Sequence, residues 1–423
     1  MIHAYVERRR RLARALPANT MAIIPSATEC IRNGDAHYRF RQSSDFYYLT
    51  GFNEPEALLI IESGANSRCY LFNRPTDPKQ EQWTGLRLGQ HAAHDILGVS
   101  AAYSIASLDR RLPDILNGCQ ALYVASGSSQ QLCEAIRTAW PQAGTLLDLS
   151  AILHPMRLIK DNLEVDAMKN AARLSVAGHM RAMRACKNLK YEYALEAELI
   201  YEFTRQGARS VAYDSIVAGG ANACVLHYTE NNKPLRAGDL VLVDAAGEYE
   251  NYAADITRTY PISGRFTAEQ KAIYNLVLQA QTAGIKCVRP GAAWKDIQQA
   301  IVLTLTQGLV DLHLLTGNIQ DLIATAAYRK YYMHNSGHWL GLDVHDPGSY
   351  QNSDGTSRTL EAGMVLTVEP GLYLSANHSD LPDAFKGIGV RIEDDLLVTE
   401  HGYENLTGAL PVEITEIEAL ICG

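Results

Sequence analysis

Short apolar runs with strand-like alternation recur through the first third of the chain. They stand at residues 21–25, 46–50, 57–62 and 69–72, and helical or polar segments separate them. This pattern predicts a mixed sheet flanked by helices, which is a mixed α/β domain. Residues 1–16 are rich in arginine and predict an opening amphipathic helix whose arginines face water.

A long helical period begins where the strand pattern stops. Apolar side chains recur at helical spacing from Val165 to Met183, so we expect a long helix there and a domain boundary at residues 157/158. Further helices are predicted near 193–206, 267–288 and 294–308, and strands near 211–218, 239–245, 252–260, 363–370 and 388–399. Because neighbouring strands in this part form an antiparallel hairpin, we predict an α+β second domain over residues 158–423, after a first domain over 1–157.

Composition narrows the class of protein. A length of 423 residues favours two domains, and a formal charge of −9 argues against nucleic acid or an anionic membrane as the main partner. The sequence contains no run of 18 apolar residues, so no transmembrane helix is predicted. The eight cysteines include no Cys-x-x-Cys, which argues against a disulfide framework or a zinc knuckle and favours a reducing compartment, the cytoplasm.

Two carboxylates stand on the strands of the predicted hairpin. If the chain turns at Tyr249 and Glu250, Asp244 and Asp255 lie directly opposite each other, with Cβ atoms roughly 5 Å apart. Opposed like charges destabilise a strand pair, so this arrangement calls for a raised pKa on one carboxyl or for a metal ion between the two. A solvated pair on an exposed hairpin is the alternative.

Histidines and further acids follow in the second domain. His334, His338 and His345 fall within twelve residues, but Asn-Ser-Gly between the first two opposes a helical two-histidine zinc site. A loop that supplies one ligand and two other active-site groups fits better. Glu369 ends an apolar strand, where a carboxylate must be paired, protonated or bound to metal.

The last acidic run, residues 389–395, leaves a choice open. Arg391 and Glu393 face the same side, so the arginine can orient that carboxylate, yet alternation does not decide between Glu393 and Asp395 as the inward acid. Four carboxylates and one imidazole match two divalent cations. Oxygen-rich ligation favours Mn²⁺, with Co²⁺, Fe²⁺ or Zn²⁺ as alternatives. Two such ions would bridge a water molecule, lower its pKa and polarise a carbonyl, which is hydrolase chemistry.

Ordered motifs give the sequence a family resemblance. In the second domain they are residues 226–231, the hairpin ending Asp-Ile-Thr-Arg-Thr, residues 333–346, Val-Glu-Pro-Gly-Leu-Tyr at 368–373, and Gly-Val-Arg-Ile-Glu-Asp-Asp at 389–395. With them the chain resembles the Xaa-Pro aminopeptidases (aminopeptidase P) of the pita-bread, or creatinase-like, metallopeptidase family. Residues 41–46, 51–55 and 82–89 resemble the aminopeptidase P branch rather than the prolidases.

The resemblance implies roles for individual residues. Two Mn²⁺ ions would be bound by Asp244, Asp255, His338, Glu369 and Glu393, which settles the choice against Asp395. The catalytic residues would be His227, His334, His345, Glu369 and Arg391. Positions near the substrate channel are matched by Tyr373, Arg358, Trp83 and Asp35. The chain departs from the family pattern at Ala246, Asn335 and Ser150, and none of these departures removes a metal ligand.

The implied activity is hydrolysis of the bond between an amino-terminal residue and a following proline in peptides. A hydroxide bridging the two metals would attack the carbonyl carbon, with Glu369 relaying its proton, His227 and His345 steadying the oxyanion and His334 contacting the proline side. The family also implies a homodimer or homotetramer. Three alternatives stand: a prolidase restricted to dipeptides, a metal-free creatinase-type hydrolase, and a catalytically inactive binding module.

Overall fold

The computed structural model describes residues 2–125, 130–140 and 146–423. The chain divides into two compact units, Met1–Arg157 and Leu158–Gly423. Each unit has an apolar core of its own. Within the described ranges, no helix combines the length and the apolar character needed to cross a membrane.

The first unit is built on a mixed six-stranded sheet. Its helices are α1 (Ile2–Ala15), α2 (Ser44–Thr50), α3 (Pro78–Thr84), α4 (Gly89–Leu97), α5 (Leu108–Ile115), α6 (Gln130–Ala139) and α7 (Ser150–Leu158). Its strands are β1 (Thr20–Pro25), β2 (Ile31–Asn33), β3 (Ala36–His37), β4 (Leu58–Glu62), β5 (Cys69–Asn73), β6 (Ala101–Ser104), β7 (Ala121–Val124) and β8 (Leu146–Asp148). The sheet order is β6-β5-β4-β1-β7-β8, and β1 runs antiparallel to β4 but parallel to β7.

Two predictions for the first unit are wrong. The strand predicted at 46–50 belongs to helix α2, all of whose residues are buried. A helix buried on every side carries no polar period, so its apolar run looks like a strand. The arginines of α1 do not all face water, because Arg8 and Arg9 are only 2% and 4% exposed. Their guanidinium groups donate to the carbonyl oxygens of Tyr48 (3.1 Å) and Leu49 (2.8 Å) near the end of α2, which satisfies two carbonyls left over by that helix.

The second unit combines helices with antiparallel strands, as the sequence predicts. The helices are α8 (Asn162–Ala185), α9 (Glu192–Arg205), α10 (Ala268–Ile285), α11 (Trp294–Asp311), α12 (Ile319–Ala324) and α13 (Ile414–Cys422). The strands are β9 (Ile216–Gly219), β10 (Leu240–Asp244), β11 (Glu248–Tyr249), β12 (Tyr252–Ala253), β13 (Thr257–Pro261), β14 (Val365–Val368), β15 (Gly371–Leu374), β16 (Ile388–Arg391), β17 (Asp394–Thr399) and β18 (Gly402–Asn405). Strand β10 lies between β9 and β13, and β17 lies between β14 and β18.

The predicted register of the hairpin is wrong by two residues. Tyr249 pairs with Tyr252, and Asp244 pairs with Thr257 rather than with Asp255. The turn consists of Glu250 and Asn251, whose φ angles are 50° and 65°. Two adjacent residues with positive φ are typical of the tight hairpin turns that match the strand twist.

Candidate metal and active site

A cavity of about 350 Å³ in the second unit collects the predicted active-site residues. The five predicted metal ligands that line it are Asp244, Asp255, His338, Glu369 and Glu393. Four further predicted catalytic residues also line it, namely His227, His334, His345 and Arg391. They come from strand ends and from the loops between elements, so the fold of this unit brings together residues far apart in sequence.

Three of the predicted ligands form the tightest group. Asp255 lies in the extended segment between β12 and β13, Glu393 in the link between β16 and β17, and His338 in the loop before β14. Each offers one ligand atom, and these atoms lie within 4.8 Å of one another. Glu369 directly follows β14, and its Oε1 is 3.8 Å from Nε2 of His338.

The ring of His338 is oriented as a metal ligand requires. Its Nδ1 donates to the carbonyl oxygen of Trp339 at 2.9 Å, so Nδ1 keeps its proton when the ring is neutral and Nε2, which faces the carboxylates, is the nitrogen that could bind a metal ion. That Nε2 is 3.3 Å from Oδ2 of Asp255. Burial opposes a charged imidazolium, but the hydrogen bond and charge of Asp255 and the charge of Glu369 raise the pKa of His338 to about 9.

The pKa values of three of the clustered carboxyl groups are raised, because burial disfavours a charged carboxylate and several negative charges in one place repel one another. Burial, reinforced by the charges of Asp255 and Asp244, raises the pKa of Glu369 to about 7. Burial and the neighbouring carboxylates also raise the pKa of Glu393 well above its usual value, and burial raises that of Asp255. A divalent cation among these oxygens removes the repulsion, and the set of oxygen donors with one imidazole nitrogen fits such an ion.

Neighbouring side chains hold the carboxylates in place. Arg391 donates to Oδ2 of Asp244 at 2.6 Å, so its direct carboxylate partner is Asp244. It reaches Glu393, the partner that the sequence suggests, through the hydroxyl of Thr257, to which its Nε donates at 3.1 Å. The hydroxyl of Tyr213 donates to the other oxygen of Asp244 at 2.6 Å, and the hydroxyl of Thr257 donates to Glu393 at 2.7 Å. The sequence alone predicts no role for Tyr213 or Thr257. The strand period puts Thr257 on the same face as Asp255, and this pattern could have indicated that Thr257 lies near the metal ligands.

Glu393 and Asp395, the two candidates for the inward acid, have different surroundings in the structure. Glu393 lines the cavity, whereas Asp395 accepts a hydrogen bond from the backbone N–H of Asp255 at 3.0 Å. Asp395 is buried. It therefore supports the segment that carries Asp255 and does not itself face the cavity.

The ring of His334 has both nitrogens engaged by the protein. Arg391 donates to the hydroxyl of Tyr373 at 3.0 Å, which leaves that hydroxyl free to donate to Nε2 of His334 at 2.8 Å. Nδ1 of His334 donates to the carbonyl of Asn335 at 2.7 Å. Burial and the nearby charge of Arg391 lower the pKa of His334 to about 4. His334 is therefore a neutral, fixed ring.

His227 and His345 differ from the other two histidines. Both are exposed residues of the cavity wall, and within the described ranges no hydrogen bond from a protein group occupies their ring nitrogens. His345 contacts the ring of His338 edge to face, with ring centroids 4.3 Å apart. Its ring is partly shielded from solvent, and this partial desolvation, with the charge of His338, lowers the pKa of His345.

The four predicted substrate-binding residues occupy different places. Tyr373 lies on β15 and joins the cavity through its bonds to His334 and Arg391. Arg358 is half-buried near the cavity wall, with its backbone N–H bonded to the carbonyl of Tyr350 at 3.0 Å. Trp83 on α3 and Asp35 between β2 and β3 belong to the first unit, and both are exposed.

Gly337 is a position where only glycine fits beside the predicted metal ligands. These ligands, called the metal cluster below, are Asp244, Asp255, His338, Glu369 and Glu393. A Cβ atom there would lie 2.1 Å from the carbonyl oxygen of Thr367 on β14. The backbone of the next residue, His338, is paired with Thr367, whose N–H donates to the His338 carbonyl at 2.9 Å. A side chain at 337 must therefore push His338 away from β14.

We expect Gly337→Ala to weaken the binding of a divalent metal ion about 10- to 100-fold, the range for lost support of a metal ligand. The measurement is calorimetric titration of metal-free protein. Gly355→Ala is the control, because Gly355 has a φ of +81° but no atom within 4 Å of an added Cβ, so it strains the backbone away from the cluster. Equal affinity in both variants would contradict the close contact at Gly337.

Comparisons with known proteins agree with this geometry. Residues 166–400 match the sequence profile of metallopeptidase family M24, and residues 5–123 match that of the aminopeptidase P N-terminal domain. The chain is 46% identical to an Xaa-Pro aminopeptidase from Haemophilus influenzae over 99% of this chain and 96% of the relative. The chain belongs to metallopeptidase family M24.

Solved structures give the branch of the family. A proline aminopeptidase P II from Yersinia pestis is 43% identical, with a TM-score of 0.96 and coverage of 100% of this chain and 99% of that one. Aminopeptidase P from E. coli, solved with the inhibitor Pro-Leu and, zinc-substituted, with product, is 41% identical, with TM-scores of 0.95 and 0.96 and coverage of 100% and 98%. The chain is thus an aminopeptidase P-type metallopeptidase with a pita-bread domain. The family and the fold class expected from the sequence are both confirmed.

Proposed function

We propose that this chain uses two divalent metal ions, preferably Mn²⁺, to hydrolyse the bond between an amino-terminal residue and a following proline in peptides. The two domains would be residues 1–157 and 158–423. The metal ligands would be Asp244, Asp255, His338, Glu369 and Glu393. The observation that carries the proposal is the buried group of carboxylates around Nε2 of His338, which would repel one another without cations.

The metal ions that these residues would hold would lower the pKa of a bound water molecule and polarise the carbonyl of the scissile bond. Glu369 is suited to relay a proton because its two oxygens point in different directions. Oε1 lies 3.8 Å from Nε2 of His338, and Oε2 lies 3.7 Å from Nδ1 of His334. One oxygen thus faces the metal cluster while the other faces the ring proposed to meet the substrate.

The three remaining histidines would contact different parts of the substrate. His227 and His345 have ring nitrogens available and line the same cavity as the cluster, so they can donate to the carbonyl oxygen as it becomes negative. Both nitrogens of His334 are engaged, so it offers the substrate a carbon edge and a ring face. Proline has no backbone N–H to recognise, and its ring suits such an apolar contact. Arg391 would act by fixing Asp244 and Tyr373.

Recognition of the rest of the peptide is assigned to Tyr373, Arg358, Trp83 and Asp35. The Nε of Arg358 is buried without a hydrogen-bond partner among the described residues, so it is a donor that the protein itself does not use. Trp83 is 86% exposed and offers an aromatic surface. We propose further that the chain self-associates as a dimer or tetramer and works in the cytoplasm. The seven described cysteine side chains are all free thiols, which supports the cytoplasmic location. The side chain of Cys133 lies outside the described residues.

The substrate assignment is tested with three peptides of matched first residue: Xaa-Pro-Pro, Xaa-Ala-Pro and the dipeptide Xaa-Pro. Chelated protein is assayed with and without Mn²⁺ for release of the first residue. We expect Mn²⁺-dependent cleavage of Xaa-Pro-Pro and little cleavage of Xaa-Ala-Pro. Cleavage of the dipeptide alone would make the chain a prolidase, and cleavage of none with any metal would favour an inactive binding module.

A further inference from the structure

The loop that carries His227 is tied to the first residue of helix α9, a buried carboxylate. Glu192 is 0% exposed. Its Oε1 accepts hydrogen bonds from the backbone N–H of Gly219 (2.9 Å) and the side-chain amide of Asn222 (2.9 Å), and its Oε2 accepts from the hydroxyl of Tyr228 (2.8 Å) and the backbone N–H of Lys233 (2.8 Å). All four donors belong to residues 219–233, so one side chain fixes both ends and the middle of that segment.

The four donors to Glu192 are uncharged groups. A buried carboxylate is costly, and it is tolerated when every lone pair has a donor. The position at the start of a 14-residue helix adds the favourable field of the helix N-terminus. Because the donors come from loop backbone and loop side chains, the Glu192 carboxylate links distant points of the loop to helix α9.

Residues 219–233, which Glu192 holds, include part of the cavity wall. His227 is exposed and has no protein hydrogen bond among the described residues, so its place depends on its neighbours in the chain. The next residue, Tyr228, is buried with its ring in a small cluster that includes Leu242 and Tyr373. Burial, with the hydrogen bond to Glu192, raises the pKa of Tyr228 to about 12, so its hydroxyl remains a donor.

Asn231 adds a second anchor on the same loop. Its side chain accepts from the N–H of Val217 at 2.9 Å and donates to the carbonyl of Ser215 at 2.8 Å, as a neighbouring strand would. The loop is therefore held on β9 as well as on α9. Among the hydrogen bonds of Glu192 and Asn231 described above, the one from Tyr228 to Glu192 is made by the residue beside His227.

We propose that Glu192 is a positioning residue that holds the His227 ring in the cavity of the metal cluster through Tyr228. This rests on the proposed function, in which His227 contacts the substrate carbonyl. Two substitutions separate the parts of the tie. Glu192→Gln puts an amide donor against at least one loop donor, and Tyr228→Phe removes one hydroxyl while leaving the ring in its cluster.

The test is a double-mutant cycle with His227→Ala, measured as kcat for Xaa-Pro-Pro with Mn²⁺. We expect kcat to fall about 100-fold in Glu192→Gln and about 10-fold in Tyr228→Phe, since small displacements of a positioned group cost factors of this size. In the His227→Ala background each change should lower kcat by less than about twofold, because residues that act through one group are not additive. A loss of full size in both backgrounds overturns the proposal.

The matched control is Glu202→Gln on the same helix. Glu202 is also buried, but its carboxylate accepts from Arg205 and Gln206 rather than from the loop. We expect this variant to lose stability and keep its kcat. A kcat loss in Glu202→Gln equal to that in Glu192→Gln would mean that general damage to α9, and not the loop, is responsible.

Hydrogen exchange of the metal-free protein supplies a readout independent of activity. We expect faster exchange over residues 219–233 in Glu192→Gln and in Tyr228→Phe, with β10 and β14 unchanged. Unchanged exchange in the loop overturns the proposal even if the enzyme proves inactive on Xaa-Pro-Pro. If the parent protein does not cleave that peptide, the proposed function fails and exchange alone decides the role of Glu192. If His227→Ala keeps full kcat in an active enzyme, action through His227 is refuted.

Discussion

Glu393→Gln is expected to abolish tight Mn²⁺ binding and, with it, peptide hydrolysis. Glu393 lines the cavity, and one of its oxygens lies within 4.8 Å of ligand atoms of Asp255 and His338. The amide keeps the shape of the side chain but removes a negative charge that the cations need. Support residues alone change metal affinity about 10- to 100-fold, so loss of a ligand should exceed about 100-fold. Metal content after dialysis, with kcat/KM at fixed Mn²⁺, measures both effects.

Asp395→Asn is the matched control for this prediction. Asp395 is the second acid that strand alternation allows, two residues away and equally buried. Its Oδ2 accepts from the N–H of Asp255, while its Oδ1 has no hydrogen-bond partner among the described residues, so asparagine can keep the single bond. We expect near-normal metal content. If Asp395→Asn lost metal and Glu393→Gln kept it, the assignment of the inward acid would be reversed.

His345→Ala is expected to lower kcat by about 10²- to 10³-fold, the usual cost of removing one donor to a developing oxyanion. Metal content should stay at the level of the parent protein, because His345 touches the ring of His338 but offers no atom to the cluster. His401→Ala is the control, since His401 is exposed in the turn between β17 and β18. A His345→Ala protein that loses metal would show that this ring supports the cluster rather than the substrate.

The sequence predicts the elements of the second unit well because their periods are long and clear. Helices α8, α10 and α11 and strands β10 and β14 lie where the apolar patterns indicate. Helix α2 was missed for the opposite reason: it is buried on all sides and has no polar face. Local composition does not reveal that kind of burial.

The residues of the site could be identified more readily than their contacts. Motifs single out Asp244, Asp255 and Arg391, and the structure does bring them into one cavity. The pairing of Arg391 with Asp244 instead of Glu393 joins residues 147 positions apart, and no local period reports such a contact. The hairpin register depended on a turn set by backbone angles at Glu250 and Asn251, which strand alternation alone does not fix.

We expect Asp244, Asp255, His338, Glu369 and Glu393 to bind two divalent ions that the peptidase needs. This expectation is tested most directly by titrating chelated protein with Mn²⁺ while measuring bound metal per chain and cleavage of Xaa-Pro-Pro in the same samples. We predict two ions per chain and no cleavage without them. Saturation below two ions per chain, or full cleavage by the chelated protein, would contradict the account.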